Sequence, residues 1–365
     1  MEFQLGHTYA GYEFLDVIKR SRSGIEYRVR NTRSGRLEAL RSLPESAEGD
    51  RERSERFLRE VRVHASLLHP NIVTVFSALE MEHHLVMTTE LVEGPTLADR
   101  LQLGRMPAAE AVAFIRQVLS ALTYAHQQKV VHRDISPENI VVIPGGMLKL
   151  ANFAFAKAPT SPKLTQAGFM VGNMTYISPE QIKGVGEVDA RSDIYAAGMV
   201  LYEMLCGRPA FVCKSQFELM AAQVVQAPPP PIEVNPAIPP ALSAVILKAL
   251  AKDPAARYQS AQEFDQAIVQ ACESEPELSA VPVVFAGHAS PSRSAEGAGQ
   301  MVVARSAPEP GRGLWKALPD SLASVPAPVL SGGASPYLSN RQVTIGLAAG
   351  TCLGVLMVAI WLFAK

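Results

Sequence analysis

The sequence predicts an α+β fold in two lobes, a small β-rich lobe followed by a larger helical one. Three observations predict it. From about residue 10 to 100, short apolar and β-branched runs alternate with turns, broken by one charged helical stretch. From about residue 107 the periodicity becomes helical and stays so to about residue 271. The chain has 365 residues, 48% hydrophobic and 19% charged, a globular mix that allows one large domain with tails. Its formal net charge is -1, so no global field argues for nucleic acid or acidic lipid.

In chain order, EALRSL (38–43) reads as a strand. DRERSERFLREVRVHASLL (50–68) carries apolar residues at 57, 58, 61, 65 and 68, a helical period. NIVTVFSALE (71–80) and HHLVMTTEL (83–91) are β-branched and flank a polar turn, as a hairpin would. A helix opens after Pro107, which suits a first helical turn. Further helices are expected at 192–206, 215–226, 239–251 and 260–271. Beyond Ser274 the composition shifts to Ser, Pro, Ala and Gly and periodicity is lost. That stretch reads as a flexible linker of about 65 residues.

Val343 to Phe363 is uncharged over 21 residues. At 1.5 Å per residue it reaches about 30 Å, the thickness of a bilayer core, so a membrane span is expected. Gly346, Gly350 and Gly354 repeat every four residues within it. They fall on one helix face and would allow close pairing of two spans. The N-terminus shows no secretory signal. Cys206, Cys213, Cys272 and Cys352 have no metal-site or disulfide spacing, and are expected as free thiols.

HRDISPEN (132–139) matches the H-R-D-x-x-x-x-N pattern of a protein-kinase catalytic loop. It stands in order with LHPNIV (68–73), SPE (178–180), RSDIYAAGMVLYEMLCGRPAF (191–211) and AKDPAARYQS (251–260). On these motifs, residues 10–271 resemble a protein kinase domain, most like the bacterial Ser/Thr kinases of eukaryotic type. The resemblance implies the bilobal kinase fold for 10–271, a linker over 272–342 and an anchor over 343–363. It also implies roles. Asp134 would be the catalytic base, Asn139 a metal ligand and Glu60 the partner of the strand cation. Glu90 and Val92 would meet adenine through their backbone, with Thr89 as gatekeeper. Asp193 would hold the catalytic loop, and Glu180 would pair with Arg257.

Several positions depart from the family pattern. The strand lysine is Arg41, a planar fork where the family uses a point charge. In the glycine-rich loop only Gly24 survives, with Lys19 and Ser21 at the other glycine positions and Glu26 at the valine that would cover adenine. The metal-binding D-F-G reads Asn152-Phe153-Ala154, and Asn152 brings no charge to a cation that prefers anionic oxygen. Ser136 replaces the lysine that touches the γ-phosphate, and Asn173 replaces a threonine that links to the base. Losing even about 4 kcal/mol of charge stabilisation slows transfer roughly a thousandfold.

The resemblance therefore implies catalytic positions Asp134, Arg41, Glu60 and Ser136, ATP contacts at Gly24, Arg41, Glu90 and Val92, and weakened metal positions Asn139 and Asn152, poorly suited to Mg²⁺ or Mn²⁺. The expected function is a pseudokinase-like scaffold or allosteric partner, for instance of an active kinase, tethered at the cell membrane with its domain in the cytoplasm. The alternative is a weakly active or atypical Ser/Thr protein kinase. No nucleic-acid partner is expected, and a homodimer through Gly346, Gly350 and Gly354 is.

Overall fold

The computed structural model describes residues 2–21, 24–43, 51–153, 156, 173–184 and 188–273. Ala154, the hydroxyl residues Thr160, Ser161 and Thr165 that follow it, the linker beyond Glu273, and Gly346, Gly350 and Gly354 lie outside them.

The first lobe is a six-stranded antiparallel sheet in the order β1-β2-β3-β4-β6-β5. Its strands are β1 (Thr8–Tyr9), β2 (Tyr12–Ser21), β3 (Gly24–Asn31), β4 (Leu37–Ser42), β5 (Val75–Met81) and β6 (His84–Glu90). One face buries Phe3, Tyr12, Phe14, Tyr27, Val29, Leu40, Met81 and Val86. Phe3 stacks on Phe14 at 4.6 Å and meets Tyr27 edge-on, so the N-terminal segment is part of this core. The other face looks toward the second lobe and carries helix α1 (Arg51–Ala65). Phe57 and Val61 of α1 pack on Met87 of β6. Helix α1 ends earlier than its apolar pattern predicts, and Leu68 beyond it is exposed. The predicted hairpin is present, but its first strand begins at Val75. Residues 71–74 instead turn across to the second lobe, where Asn71 donates to the Leu148 carbonyl at 3.0 Å.

The second lobe is helical: α2 (Leu97–Leu101), α3 (Ala108–Gln127), α4 (Pro179–Lys183), α5 (Ala190–Cys206), α6 (Gln216–Val225), α7 (Pro231–Val234), α8 (Pro240–Ala249) and α9 (Ala261–Glu273). A two-stranded hairpin, β7 (Ile140–Ile143) with β8 (Met147–Leu150), lies between α3 and α4 in sequence. Pro107 precedes the first turn of α3 as its cap residue. Helix α5 is buried almost all round, as its unbroken apolar run implies, and α3, α8 and α9 pack about it in one continuous core. Gly94 sits where the chain passes between the lobes. A Cβ there would come within 2.1 Å of the Val142 carbonyl oxygen, so only glycine lets the crossing strand lie this close to β7.

Candidate active site

The cleft between the lobes is built on two kinds of backbone. Its roof is the β2–β3 hairpin, and its floor is the loop 132–139 with the segment that follows β8. Gly24 starts β3 at φ +136, with the Ser42 carbonyl oxygen only 1.9 Å from where a Cβ would stand. The demand for glycine here thus comes from β4, independently of any phosphate.

Strand register sets the roof's charge. Lys19 pairs with Glu26, and Glu26 pairs with Arg41. Directly opposed residues share a face, so cation, carboxylate and cation form one row across β2, β3 and β4. Burial pushes the Glu26 carboxyl up from its ordinary value, against the pull of Arg41 and Lys19. Arg41 also forms an ion pair with Glu60 of α1, and both side chains are largely buried. The strand-to-helix pair expected from the sequence is therefore present with arginine in place of lysine. Arg41 is shared between two carboxylates, and its Nε is buried without a partner.

The floor is organised by Asp193, which is fully buried at the start of α5. It accepts from the backbone N–H of His132 at 2.8 Å, from that of Arg133 at 2.7 Å and from His126 Nε2 at 2.8 Å. Burial alone would raise its pKa, yet His126 and these N–H groups outweigh burial and hold it low. Arg133 takes φ +69, an uncommon conformation held by that anchor. Above Asp193 three rings pack in a row. His132 meets Phe153 edge-on at 4.5 Å, and Phe153 and His64 of α1 lie tilted at 4.8 Å. With the Asp193 bond to the His132 N–H, this row of rings links α5 to α1. His64 donates from Nε2 to the Val73 carbonyl at 2.7 Å, which leaves Nδ1 buried and bare, and burial pushes its pKa down to about 4.

Asp134, Asn139 and Asn152 close on one another. Asn139 Nδ2 donates to the Asp134 carbonyl at 2.8 Å and to Asp134 Oδ2 at 2.9 Å. Asn152 Nδ2 donates to Asp134 Oδ2 and to Asn139 Oδ1, both at 3.2 Å. The backbone N–H of Asn173 donates to Asp134 Oδ1 at 3.2 Å. Both carboxylate oxygens of Asp134 are thereby occupied. Burial pushes its carboxyl up, while the neighbouring His132 and these donors oppose the rise. Asn152 sits at φ +65, where asparagine is among the few non-glycine residues at ease. Its amide orientation follows from chemistry, since turning it over would set its oxygen against two other oxygens. Asn173 reaches the base through its backbone, not its side chain, which donates to Glu138 at 3.0 Å. Ser136, within the loop, is buried.

At the passage between lobes, Glu90 pairs with Lys149 of β8 at 2.9 Å, and its N–H donates to Thr74. Thr89 is buried beside it. Val92 makes no backbone hydrogen bond among the described residues. Farther out, Arg257 grips Glu180 through two bonds of 2.8 Å, with Ser192 donating to the same carboxylate at 2.6 Å. Sequence reasoning missed His64 as a member of the row of rings, Lys149 as the partner of Glu90, and Gln223. Gln223 is fully buried and donates to the Thr175 carbonyl at 2.6 Å, fixing the segment in front of Asp134. A polar residue in an apolar pattern was the available signal for Lys149 and Gln223.

The protein kinase domain model matches residues 12–269. The serine/threonine-protein kinase PknD of Mycobacterium tuberculosis is 31% identical over 364 residues, covering 96% of this chain and 54% of that protein. The serine/threonine-protein kinase PrkC of Bacillus subtilis is 34% identical over 273 residues, covering 74% and 42%. The chain thus spans about half the length, or less, of the curated relatives it matches. The crystal structure of the M. tuberculosis PknI kinase domain superposes with a TM-score of 0.60 at 28% identity, covering 74% of this chain and 100% of that one. Matches of this extent, over a cleft assembled around HRDISPEN, show that the chain belongs to the protein kinase family, with the bacterial serine/threonine kinases as its relatives.

Proposed function

We propose that this chain is a membrane-tethered pseudokinase: a kinase fold whose phosphoryl transfer is impaired and which works by binding a protein partner. One observation carries the reading. The Asn152 amide donates into Asp134 and Asn139, where the family's chemistry requires a charged ligand for a cation. Kinase catalysis is almost entirely positioning and electrostatics, so a neutral donor at this point removes its main charge neutraliser. The altered roof, with Glu26 between Lys19 and Arg41, and the loss of lysine at Ser136 act in the same direction. The family implies an ATP site in this cleft.

The domain extends from the Phe3 segment to the end of α9 at Glu273, slightly beyond 10–271 at each end, with the linker from there to 342 and the anchor over 343–363. The linker gives a reach on the order of 45 Å from a bilayer. Paired spans through Gly346, Gly350 and Gly354 would raise the concentration of one domain near another. The domain belongs on the cytoplasmic side, where a partner such as an active kinase is within reach.

A second reading, a weak or atypical Ser/Thr kinase, is favoured by the closed Arg41–Glu60 pair and the row of rings. Transfer of labelled γ-phosphate from ATP by the full chain, in Mg²⁺ and in Mn²⁺, decides between them. The first reading expects no label above that of Asp134→Asn. Label that vanishes in Asp134→Asn establishes the second.

A further inference from the structure

We propose that the cleft binds a purine nucleotide without a divalent cation, the Asn152 amide taking up the oxygen lone pairs that a cation would need. This rests on the reading of the cleft as a site that does not transfer phosphate, and it names the ligand that site retains.

The donor set does not fit a divalent metal. Its two side-chain ligands would be Asn139 and Asn152, both neutral, where Mg²⁺ prefers anionic oxygen at close range. Asn139 Oδ1 already accepts from Asn152 Nδ2 at 3.2 Å, so one of its two lone pairs is taken and an N–H stands on that side of it. The nearby anion, Asp134, accepts from Asn139 and Asn152 at Oδ2 and from the Asn173 backbone at Oδ1. To present its oxygen to a cation held against Asp134 and Asn139, Asn152 would have to turn over. That breaks two hydrogen bonds and sets oxygen against oxygen at the same separations.

The parts that would hold the rest of a nucleotide do not depend on a metal. Val92, where the chain leaves β6, keeps its backbone N–H and C=O without a partner among the described residues. A free donor and acceptor on one extended residue suit the polar edge of a purine, with the buried Thr89 limiting depth. Phosphate charge would meet Arg41 and Lys19, two protein cations on one face of the roof. A guanidinium can grip phosphate oxygens bidentately, so Arg41 can supply locally part of the neutralisation that a metal otherwise supplies. Glu26 stands between these cations and competes with the phosphates, which keeps the affinity modest.

The test is a titration of the full chain with fluorescently labelled ADP, in excess EDTA and separately in excess Mg²⁺. The proposal expects dissociation constants that agree to about twofold, and weakening in EDTA of about tenfold for Arg41→Ala. It expects Asn152→Asp, which restores an anion, to bind at least about tenfold more tightly in Mg²⁺ than in EDTA. Binding by the parent chain only in Mg²⁺, no binding in either buffer, or an Asn152→Asp variant indifferent to Mg²⁺ each overturns the proposal. Binding confined to Mg²⁺ without transfer defeats this inference and leaves the pseudokinase reading standing. Transfer that depends on Asp134 defeats that reading instead.

Discussion

Two carboxylates in this molecule, the buried Glu180 and the half-buried Asp134, face opposite situations. Glu180 meets a full bidentate arginine, with a serine hydroxyl on the same oxygen. Asp134 meets only neutral donors, two asparagine amides and one backbone N–H. The first arrangement is closed by charge and holds the helical lobe together. The second is closed by amides, at the place where family chemistry requires a cation. Asp193 belongs with the first group, since its anchor to the loop 132–133 is intact. The charges that hold the fold are paired, while in the cleft Asp134 faces amides and Glu26 stands between Lys19 and Arg41.

The comparison can be broken most severely at Arg257. Arg257→Met leaves Glu180 buried with a single serine donor. Chemical denaturation should register a loss of about 3–5 kcal/mol, the cost of stripping one partner from a buried pair. A loss within that of an ordinary surface change would show that the lobe does not depend on this contact.

The row of rings sharpens the comparison through pH. His64 is neutral in the folded state, with its pKa pushed down from 6.5 to about 4 by burial. As pH falls through 6.5, the unfolded chain takes up a proton that the native His64 refuses. Stability is then lost, by about 1.4 kcal/mol per pH unit, down to about pH 4, where the native state also protonates. His132 contributes with the same sign, since burial lowers it too. The difference between the parent chain and His64→Phe, followed by urea unfolding from pH 7 to pH 4, isolates the His64 share. Parallel curves would contradict the assignment.

The smallest effect belongs to the roof. Glu26 is a carboxylate raised by burial, so at neutral pH its ionised form costs stability, and that cost is relieved as pH falls through its folded pKa. Glu26→Val should stabilise the chain by about 1 kcal/mol in thermal unfolding at neutral pH. The gain should shrink on acidification. A loss would mean that Glu26 is a needed partner of Arg41 and Lys19.

Much of this was legible in the sequence, because the fold-holding charges lie in spaced motifs. HRDISPEN, the aspartate of RSDIY and the arginine of AKDPAARY each announce a position. The Arg41–Glu60 pair was implied by the resemblance to protein kinases, and the structure contains it. What the sequence left open depends on orientation and register. Asn152 reads as a lost charge, but only geometry shows its amide donating to two neighbours. Glu26 reads as an odd substitution until strand pairing places it between Lys19 and Arg41. Asn173 reads as a broken link to the base, yet its backbone makes that link, which no side-chain reasoning would find. His64 hides in a helix rich in charge, where one more polar residue gives no signal of burial.

The most direct test of the central claim, that an amide occupies what would be a cation's place, is the melting temperature of the full chain with and without Mg²⁺ or Mn²⁺ alone. It is compared with that of Asn152→Asp. The parent chain should show no shift, and Asn152→Asp, whose paired carboxylates recruit the ion, a rise of several degrees. A parent chain stabilised by the metal as much as the variant would contradict the claim.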